Sequence, residues 1–275
     1  MPAHAPSADA LPTVSLLGIT LHAVTERQAI EHILAKLDEG QGGWVVTPNL
    51  DHLRRLTRDA AFRELCLQAD LRVADGMPLI WASRLRRTPL PERVAGSHLI
   101  WSLSAAAAEA GRSIFLLGGE PGTAEAAAGM LTRHALGLRV AGTLCPPVGF
   151  EQDDAFIQTM TQALVSANPD IIYVALGSPK QERLIAQLRP ALPGAWWLGV
   201  GISFSFVCGH VRRAPRWMQR LGLEWVHRLA QEPRRLARRY LLEGLPFAAR
   251  LLAGATLRGL TGRAGPASAP TSSRS

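Results

Sequence analysis

The sequence predicts an α/β fold with a mostly parallel sheet flanked by helices and a basic helical appendage at the C-terminus. Short apolar runs recur along the chain, and helical patterns lie between them. One run, at 171–176, is apolar nearly throughout, as expected for a strand buried on both faces. The net positive charge lies entirely in the last quarter of the chain. Strands separated by helices at this spacing indicate βαβ units.

The individual elements follow from these apolar runs. Predicted strands lie at 14–17, 44–47, 71–74, 114–117, 140–144, 171–176 and 196–200. Predicted helices lie at 26–37, 50–67, 77–85, 98–110, 123–134, 153–166 and 180–188. After Gly201 the pattern changes, and Pro215, Pro233 and Pro246 punctuate short helical segments, one of them at 234–245. The alternation predicts a Rossmann-like sheet.

The charge distribution suggests how the 275 residues are organised. Residues 1–209 carry a net charge of −2, whereas residues 210–275 hold 13 Arg, no Lys and three Glu, a net charge of +10. We predict an α/β domain at 13–209, which carries the candidate catalytic residues, and an Arg-rich helical appendage at 210–261. The first 12 residues are expected to be flexible, and the Pro- and Ser-rich residues 262–275 to be disordered.

Several classes of protein are excluded by composition. Cys66, Cys145 and Cys208 are odd in number and far apart, so they form neither a disulfide framework nor a zinc site. The N-terminus lacks the pattern of a signal peptide, and no stretch is apolar enough to predict a membrane-spanning helix. No Asp-x-Asp pair occurs, so the chain lacks the carboxylate ligands that usually bind a metal bridging a nucleotide diphosphate. We therefore expect no metal site and no cofactor.

Candidate site residues follow from the rule that open α/β sheets bind ligands beyond the carboxyl ends of their strands. Thr47 and Asn49 end the second predicted strand and can hydrogen-bond a ligand, although Asn49 is as well suited to cap the next helix. Asp75 follows the strand at 71–74 and precedes a glycine, so it is a candidate general base. A helix cap is an equally good interpretation of Asp75.

Two further turns lie at the same predicted edge. Gly118 and Gly119 follow the strand at 114–117 and open a helix, which suits a phosphate, although the turn is neither G-x-G-x-x-G nor a P-loop. Lys180 and Gln181 begin the helix after 171–176, where both can reach a polar ligand. Ordinary turn and helix-start chemistry is the alternative in both places.

The arginines of the appendage are interleaved with aromatic residues, namely Trp217, Trp225, Tyr240 and Phe247. This mixture fits an interfacial helix on anionic lipid, and it also fits a nucleic acid. Arginine side chains can in addition clamp a diphosphate. The residues alone leave these partners open.

Seven short segments form an ordered set over most of the chain. They read TPNLDH at 47–52, ADGMP at 74–78, ERVAGS at 92–97, LGSPKQE at 176–182, RAPRW at 213–217, GLEW at 222–225 and EPRRLARRY at 232–240. Together they resemble the WecG/TagA/CpsF family, glycosyltransferase family 26. The resemblance extends from about residue 14 to about residue 240.

The resemblance implies a bacterial enzyme that moves an amino sugar, such as N-acetylmannosamine, from a UDP-sugar to a sugar on undecaprenyl diphosphate. Such enzymes build surface polysaccharides or exopolysaccharides, and they invert the anomeric centre without a metal. The implied location is cytoplasmic, peripheral on the inner face of the cytoplasmic membrane. The implied partners are the UDP-sugar donor, the polyprenyl-diphosphate acceptor and an anionic membrane surface, with no nucleic acid. A homo-oligomer, in which a partner subunit covers apolar surface near the appendage, is one alternative, and the sequence leaves the oligomeric state open.

The resemblance also assigns roles to residues. Asp75 aligns with the proposed catalytic base, Thr47 and Asn49 fall on the active-site loop, and Arg93 and Gln181 match positions near the substrate. The candidates for stabilising the UDP leaving group at the membrane-facing side are Arg213, Arg228, Arg234 and Arg238. Two departures stand out, because His98 and Ser205 occupy positions where the family often carries an acidic residue. Both are expected to affect the choice of donor or acceptor.

Two other functions remain as alternatives. A nucleic-acid-binding α/β protein would use the basic appendage, and it predicts salt-sensitive binding to DNA or RNA. An NAD-dependent oxidoreductase needs a G-x-G-x-x-G turn followed by an acidic residue about 20 positions later, and the chain has neither.

Overall fold

The computed structural model describes residues 11–261. A six-stranded parallel sheet is flanked by helices, which confirms the predicted α/β fold. The strands are β1 Thr13–Leu16, β2 Ile19–His22, β3 Gly43–Val46, β4 Leu71–Arg72, β5 Ser113–Gly118, β6 Arg139–Leu144, β7 Ile171–Ala175 and β8 Trp196–Gly199. The disordered end predicted at 262–275, and all but two residues of the flexible start predicted at 1–12, lie outside the described residues.

Helices account for most of the remaining described chain. In the first part they are α1 Glu26–Asp38, α2 Leu50–Arg58, α3 Ala60–Leu67, α4 Met77–Leu85, α5 Gly96–Glu109, α6 Thr123–His134, α7 Asp154–Ala167, α8 Lys180–Leu188 and α9 Ser203–Val207. The C-terminal segment adds α10 Arg216–Arg220, α11 Glu224–Gln231, α12 Pro233–Ala237, a π-helical turn Arg238–Gly244 and α13 Leu245–Leu260. Within residues 11–261, none of these helices has the length and apolarity to span a bilayer.

The parallel sheet has the strand order β4-β3-β8-β7-β5-β6. Every residue of β5, β7 and β8 is buried, because helices cover both faces of the sheet. In β7, Ile171 and Tyr173 pack with residues of α1, α5 and α6, whereas Ile172 and Val174 pack with residues of α7 and α8. The two-residue period of a strand thus divides its side chains between two core layers.

An antiparallel hairpin, β1–β2, forms a separate two-stranded sheet that contacts β4 of the parallel sheet. The sequence predicted a single strand at 14–17 and missed β2. The connecting turn consists of Leu17 and Gly18, whose φ angles are +52° and +77°. Two positive φ angles fit a tight hairpin turn, but leucine is rarely found in one, so the local signal is weak. The hairpin packs into a third core cluster with residues of α2, α3, α4 and α13.

Two predicted helices are interrupted in the structure. The helix predicted at 50–67 is divided at Asp59, which ends α2 and caps α3 by accepting a hydrogen bond from the Phe62 backbone N–H at 3.0 Å. The helix predicted at 234–245 contains the π-helical turn and continues through α13. A short polar residue that can cap a helix from its side chain therefore outweighs the helical pattern around it.

Helix α13 joins the C-terminal segment to the α/β part of the chain. Its residues Phe247, Leu251 and Ala255 are buried in the third core cluster, together with Leu79 and Ile80 of α4. Gly259 permits the closest approach of the two helices, because a Cβ atom there would lie 2.0 Å from the backbone oxygen of Leu85. The change of charge near Gly209 therefore does not mark the edge of the hydrophobic core.

Gly259 and Gly254 make a matched pair for testing this packing. Gly259→Ala is expected to lower the free energy of unfolding by about 1–3 kcal/mol, because the added methyl group collides with backbone. Gly254→Ala lies on the same helix with nothing within 4 Å of the new Cβ, so it is expected to stabilise by up to about 1 kcal/mol. Urea unfolding of both variants measures the difference, and equal effects of the two substitutions would show that α13 does not pack as described.

Candidate active site

The carboxyl ends of β3 and β4 bring two loops together at one edge of the sheet. The backbone N–H of Asp75 donates to the Pro48 oxygen at 2.8 Å, and the Val94 N–H donates to the Ala74 oxygen at 2.9 Å. Gly76 follows with a φ of +153°, a conformation that favours glycine. These main-chain contacts fix the position of Asp75 beside the loop that carries Asn49.

Asp75 is half-buried, and its carboxylate makes no hydrogen bond or ion pair with any side chain that the structure describes. Burial raises the pKa of Asp75 to about 6, since desolvation disfavours the charged form. Glu224 also raises this pKa, whereas Arg93, His52 and Arg213 lower it. A carboxylate with a pKa near 6 is still ionised at neutral pH and is a stronger base than an ordinary aspartate.

One carboxylate from the C-terminal segment binds two arginines beside Asp75. Glu224 Oε2 lies 3.2 Å from Arg93 Nη1, and Glu224 Oε1 lies 3.5 Å from Arg213 Nε. Arg213 also donates from Nη2 to Ser97 Oγ at 2.8 Å. The pKa of Arg213 is lowered by burial, and proximity to Arg93 lowers it further. The C-terminal segment therefore contributes directly to the electrostatics of this edge.

A cleft of about 760 Å³ opens next to these residues. Its lining includes Met77, Arg84, Glu92, Arg93, His98 and Arg213. Asp75 is not part of the lining itself but lies beside Met77 and Arg93, which are. Three arginines and one glutamate give the wall a positive balance, which suits an anionic ligand. Another cavity, of about 380 Å³, lies by Asp170 and Ala195, which precede β7 and β8, and is thus at the opposite edge of the sheet.

Gln181 and Glu182 form a buried polar network at the centre of the sheet edge, with exposed fractions of 4% and 2%. The Gln181 amide donates to Glu182 Oε1 at 3.0 Å and accepts from the Gly201 N–H at 3.0 Å. His52 Nε2 lies 3.1 Å from the same Glu182 oxygen. Burial raises the pKa of Glu182, but hydrogen bonds from His52 and Gln181 outweigh it, so the net shift is downward. Gln181 thus has protein partners at both ends of its amide.

Packing within the protein explains the two glycines of the predicted phosphate-binding turn, Gly118 and Gly119. A Cβ atom at Gly118 would lie 2.8 Å from the Ala175 oxygen, and one at Gly119 would lie 2.3 Å from Thr123 Oγ1. The Gly119 N–H donates to the Ala175 oxygen at 2.7 Å. Close contact with the end of β7 at Gly118, and with the start of α6 at Gly119, is therefore enough to require glycine at both positions.

The other predicted residues occupy different surroundings. Thr47 lies at the end of β3, where a Cβ atom at Gly96 would be 3.4 Å from its hydroxyl. Asn49 caps α2, because its side-chain oxygen accepts a hydrogen bond from the His52 N–H at 3.0 Å. This is the helix-capping role that the sequence predicted as the alternative to ligand binding. Lys180 is exposed and pairs with Glu151 at 2.5 Å. Thr47 and Asn49 thus lie on loops near Asp75, whereas Lys180 is engaged elsewhere.

The four predicted appendage arginines do not form one cluster. Arg213 lines the cleft, and Arg228 lies over the Phe206 ring at 5.9 Å from its centre. Arg234 is exposed, and Arg238 is 83% exposed with an ion pair to Glu243 at 3.4 Å. Of the four, Arg213 is placed nearest to Asp75 by its electrostatic effect on that carboxylate.

The match to known families agrees with these geometric features. The profile of the Glycosyl transferase WecG/TagA/CpsF family matches residues 14–259, which includes both the α/β part and nearly all of the described C-terminal segment. The chain belongs to this family. It is therefore a glycosyltransferase, and the family assignment favours this function over the nucleic-acid-binding and oxidoreductase alternatives.

The two residues at which this glycosyltransferase departs from the family pattern lie in different places. His98 lines the cleft, and burial together with Arg213 and Arg93 lowers its pKa. Ser205 is buried within α9, and its backbone oxygen accepts from the Val211 N–H. His98 is thus in a position to contact a ligand in the cleft, whereas the Ser205 side chain faces the protein interior.

Two residues that the sequence did not single out contribute to the site, namely Glu224 and His52. Glu224 lies in the GLEW segment, but its contact with Arg93 spans 131 residues and leaves no local pattern. One signal was present: Glu224 is one of only three acidic residues after position 209.

Within residues 11–261, no group of three or more His, Cys, Asp or Glu side chains is arranged to hold a metal ion.

Proposed function

We propose that this glycosyltransferase moves an N-acetylated amino sugar, of the N-acetylmannosamine type, from a UDP-sugar to a sugar on undecaprenyl diphosphate. The transfer inverts the anomeric centre, needs no metal ion and serves the synthesis of a bacterial surface polysaccharide or exopolysaccharide. The observation that carries the proposal is a half-buried carboxylate, Asp75, that has no ion pair within residues 11–261 and lies beside a cleft lined by Arg93 and Arg213.

In this proposal Asp75 is the general base. Its carboxylate accepts the proton of the acceptor hydroxyl as that oxygen forms a bond to the anomeric carbon of the donor. The bond between the anomeric carbon and the diphosphate oxygen breaks in the same step, and UDP leaves with the electron pair. A single displacement on the face opposite the leaving group inverts the configuration.

The leaving diphosphate gains negative charge as this bond breaks, and the positive wall of the cleft can stabilise it. Arg93 and Arg213 each retain N–H groups that Glu224 does not contact, and Arg84 lies on the same wall. Guanidinium groups bind phosphate oxygens with paired hydrogen bonds. In this way the arginines supply the charge that a divalent metal supplies in other nucleotide-sugar enzymes.

Helix α13 supports a membrane-facing role for the C-terminal segment. One face carries the buried residues Phe247, Leu251 and Ala255, four residues apart. The opposite face carries Leu245, Ala249, Ala253 and Leu257, also four residues apart and all exposed. A helix that is apolar on both sides needs a second apolar environment. Exposed Arg250 and Arg258 lie between the two faces, as in helices that rest on anionic lipid.

We further propose that the enzyme is peripheral on the inner face of the cytoplasmic membrane, where both of its substrates meet. The exposed Arg234 and Arg238 then face anionic headgroups, and the exposed face of α13 enters the interface. In this proposed orientation, the polyprenyl chain of the acceptor stays in the membrane while its sugar enters the cleft.

A screen of UDP-sugars against a short prenyl-diphosphate-linked sugar tests the proposed function. Full-length enzyme is expected to release UDP only when an N-acetylated amino-sugar donor and the acceptor are both present. The rate is expected to be the same with and without EDTA. Reactions that lack the acceptor are the control for simple hydrolysis, and absence of UDP release with every donor would reject the proposed reaction.

A further inference from the structure

The isolation of the Asp75 carboxylate is unusual for its surroundings. Arg93 and Arg213 are both close enough to lower its pKa, yet neither forms an ion pair with it among the described contacts. A half-buried carboxylate close to two guanidinium groups would normally pair with them, because such pairs combine charge with hydrogen bonding. Something therefore holds the two arginines away from Asp75.

Glu224 is the group that engages both arginines instead. Each of its two oxygens faces a different guanidinium group, Oε2 toward Arg93 and Oε1 toward Arg213. Arg213 is held further by the hydroxyl of Ser97. All three charged side chains are largely buried, with exposed fractions of 14–21%, so solvent screens their interaction only in part. Glu224 thus competes with Asp75 for the same two partners.

We propose that Glu224 is a positioning residue that holds Arg93 and Arg213 off the Asp75 carboxylate and so keeps the base free for the acceptor hydroxyl. The inference rests on the proposed role of Asp75 as general base. Because Glu224 belongs to α11, docking of the C-terminal segment also completes the catalytic edge of the sheet. Displacement of α11 alone is expected to release Arg93 and to leave it free to pair with Asp75.

The sign of the expected change follows from the charges around Asp75. Arg93, His52 and Arg213 lower its pKa, and Glu224 is the charged group that raises it. Replacing Glu224 by Gln removes the raising charge and also frees two guanidinium groups to pair with Asp75. Both effects act in the same direction, so the pKa of Asp75 is expected to fall.

The first measurement does not depend on catalysis. Carboxyl ¹³C resonances of labelled Asp are titrated in full-length wild type, in Glu224→Gln and in Glu232→Gln, and the Asp75 signal is assigned by its absence from Asp75→Asn. Glu232 is a matched control, because it pairs with Arg235 in the same segment and is not among the charges that shift Asp75. A lower Asp75 pKa in Glu224→Gln alone is expected. Equal values in all three proteins would overturn the proposal.

The second measurement uses UDP release. Glu224→Gln is expected to lower kcat at pH 7.5 by about tenfold, since a paired aspartate is a weaker and less accessible base. The acid limb of its pH profile is expected at lower pH than in wild type. If Glu224→Gln changed only the donor KM and kept the kcat and the pH profile of wild type, the proposed positioning role of Glu224 would be overturned. Wild type that releases no UDP would instead reject the proposed reaction, and the titration would still decide the role of Glu224.

Glu224→Asp is a second variant for the same two measurements, and it keeps the proposal testable if Glu224→Gln does not fold. It keeps the charge but shortens the side chain by one methylene, so its hold on Arg93 and Arg213 is expected to be partial. We expect an Asp75 pKa and a kcat between those of wild type and Glu224→Gln. A purely structural role predicts that Glu224→Asp affects unfolding without moving the Asp75 pKa, and that result would contradict the proposal.

Discussion

Asp75→Asn is expected to fold and to lower kcat by about 10²–10⁴-fold, the usual contribution of a general base. The amide has nearly the same size as the carboxylate but cannot accept the proton of the acceptor hydroxyl. UDP release at saturating donor and acceptor measures the effect. Asp154→Asn, an exposed position on α7, is the matched control and is expected to keep wild-type activity. Wild-type kcat in Asp75→Asn would remove Asp75 from the mechanism.

The same variant is expected to be more stable than wild type at neutral pH. Because the pKa of Asp75 is about 6 in the folded state against 3.8 as a free side chain, ionisation favours the unfolded chain. The resulting penalty is absent below about pH 4 and complete once the pH rises well above 6. Removing it is worth roughly 1–3 kcal/mol at pH 7.5. Thermal unfolding of both proteins at pH 4 and pH 7.5 tests this, and the gain should vanish at the lower pH.

The second large effect concerns the membrane. The double substitution Leu257→Gln and Leu260→Gln is expected to weaken binding to anionic liposomes by about tenfold or more, because each leucine contributes roughly 1.5–3 kcal/mol when fully buried in an apolar environment. Leu257 and Leu260 are 64% and 74% exposed, so their replacement leaves the core of the protein intact. Co-sedimentation with vesicles that contain phosphatidylglycerol measures the binding.

Two controls separate the apolar and the charge contributions. Leu136→Gln with Val148→Gln changes two exposed residues outside the C-terminal segment and is expected to leave liposome binding unchanged. Arg250→Gln with Arg258→Gln is expected to weaken binding mainly at low salt, by about 1 kcal/mol for each arginine. Binding of the leucine variant equal to wild type would show that α13 does not face the lipid. Point substitutions serve here better than a chain cut near Gly209, since α13 fills part of the core.

The fold was largely predictable because buried strands leave a local signal. The apolar run at 171–176 corresponds to β7, and the period of two in β5 and β7 separates two core layers. The hairpin strand β2 was missed because Leu17 occupies the first turn position, where Asn, Asp or Gly usually marks such a turn. The split at Asp59 was missed because the residues on both sides continue a helical pattern.

The site was predictable only in part. Asp75 follows from its place after a strand, because parallel strands bring their carboxyl ends to one edge. The contact of Glu224 with Arg93 and Arg213 depends on how α11 docks, and no spacing in the sequence encodes it. For Gln181, Gly118 and Gly119, position at the same edge does not distinguish a ligand contact from a contact within the protein. Each of these three residues has protein partners that are sufficient to explain it.

The anomeric configuration of the product tests the central claim most directly. One base and a direct displacement predict a product whose new glycosidic bond has the configuration opposite to that of the sugar in the UDP donor. Nuclear magnetic resonance of the purified product, made by the wild-type enzyme with a defined donor, reads this configuration from the anomeric one-bond C–H coupling. Inversion is the expected result. Retention would require a second nucleophile or a different reaction path and would contradict Asp75 as the single base.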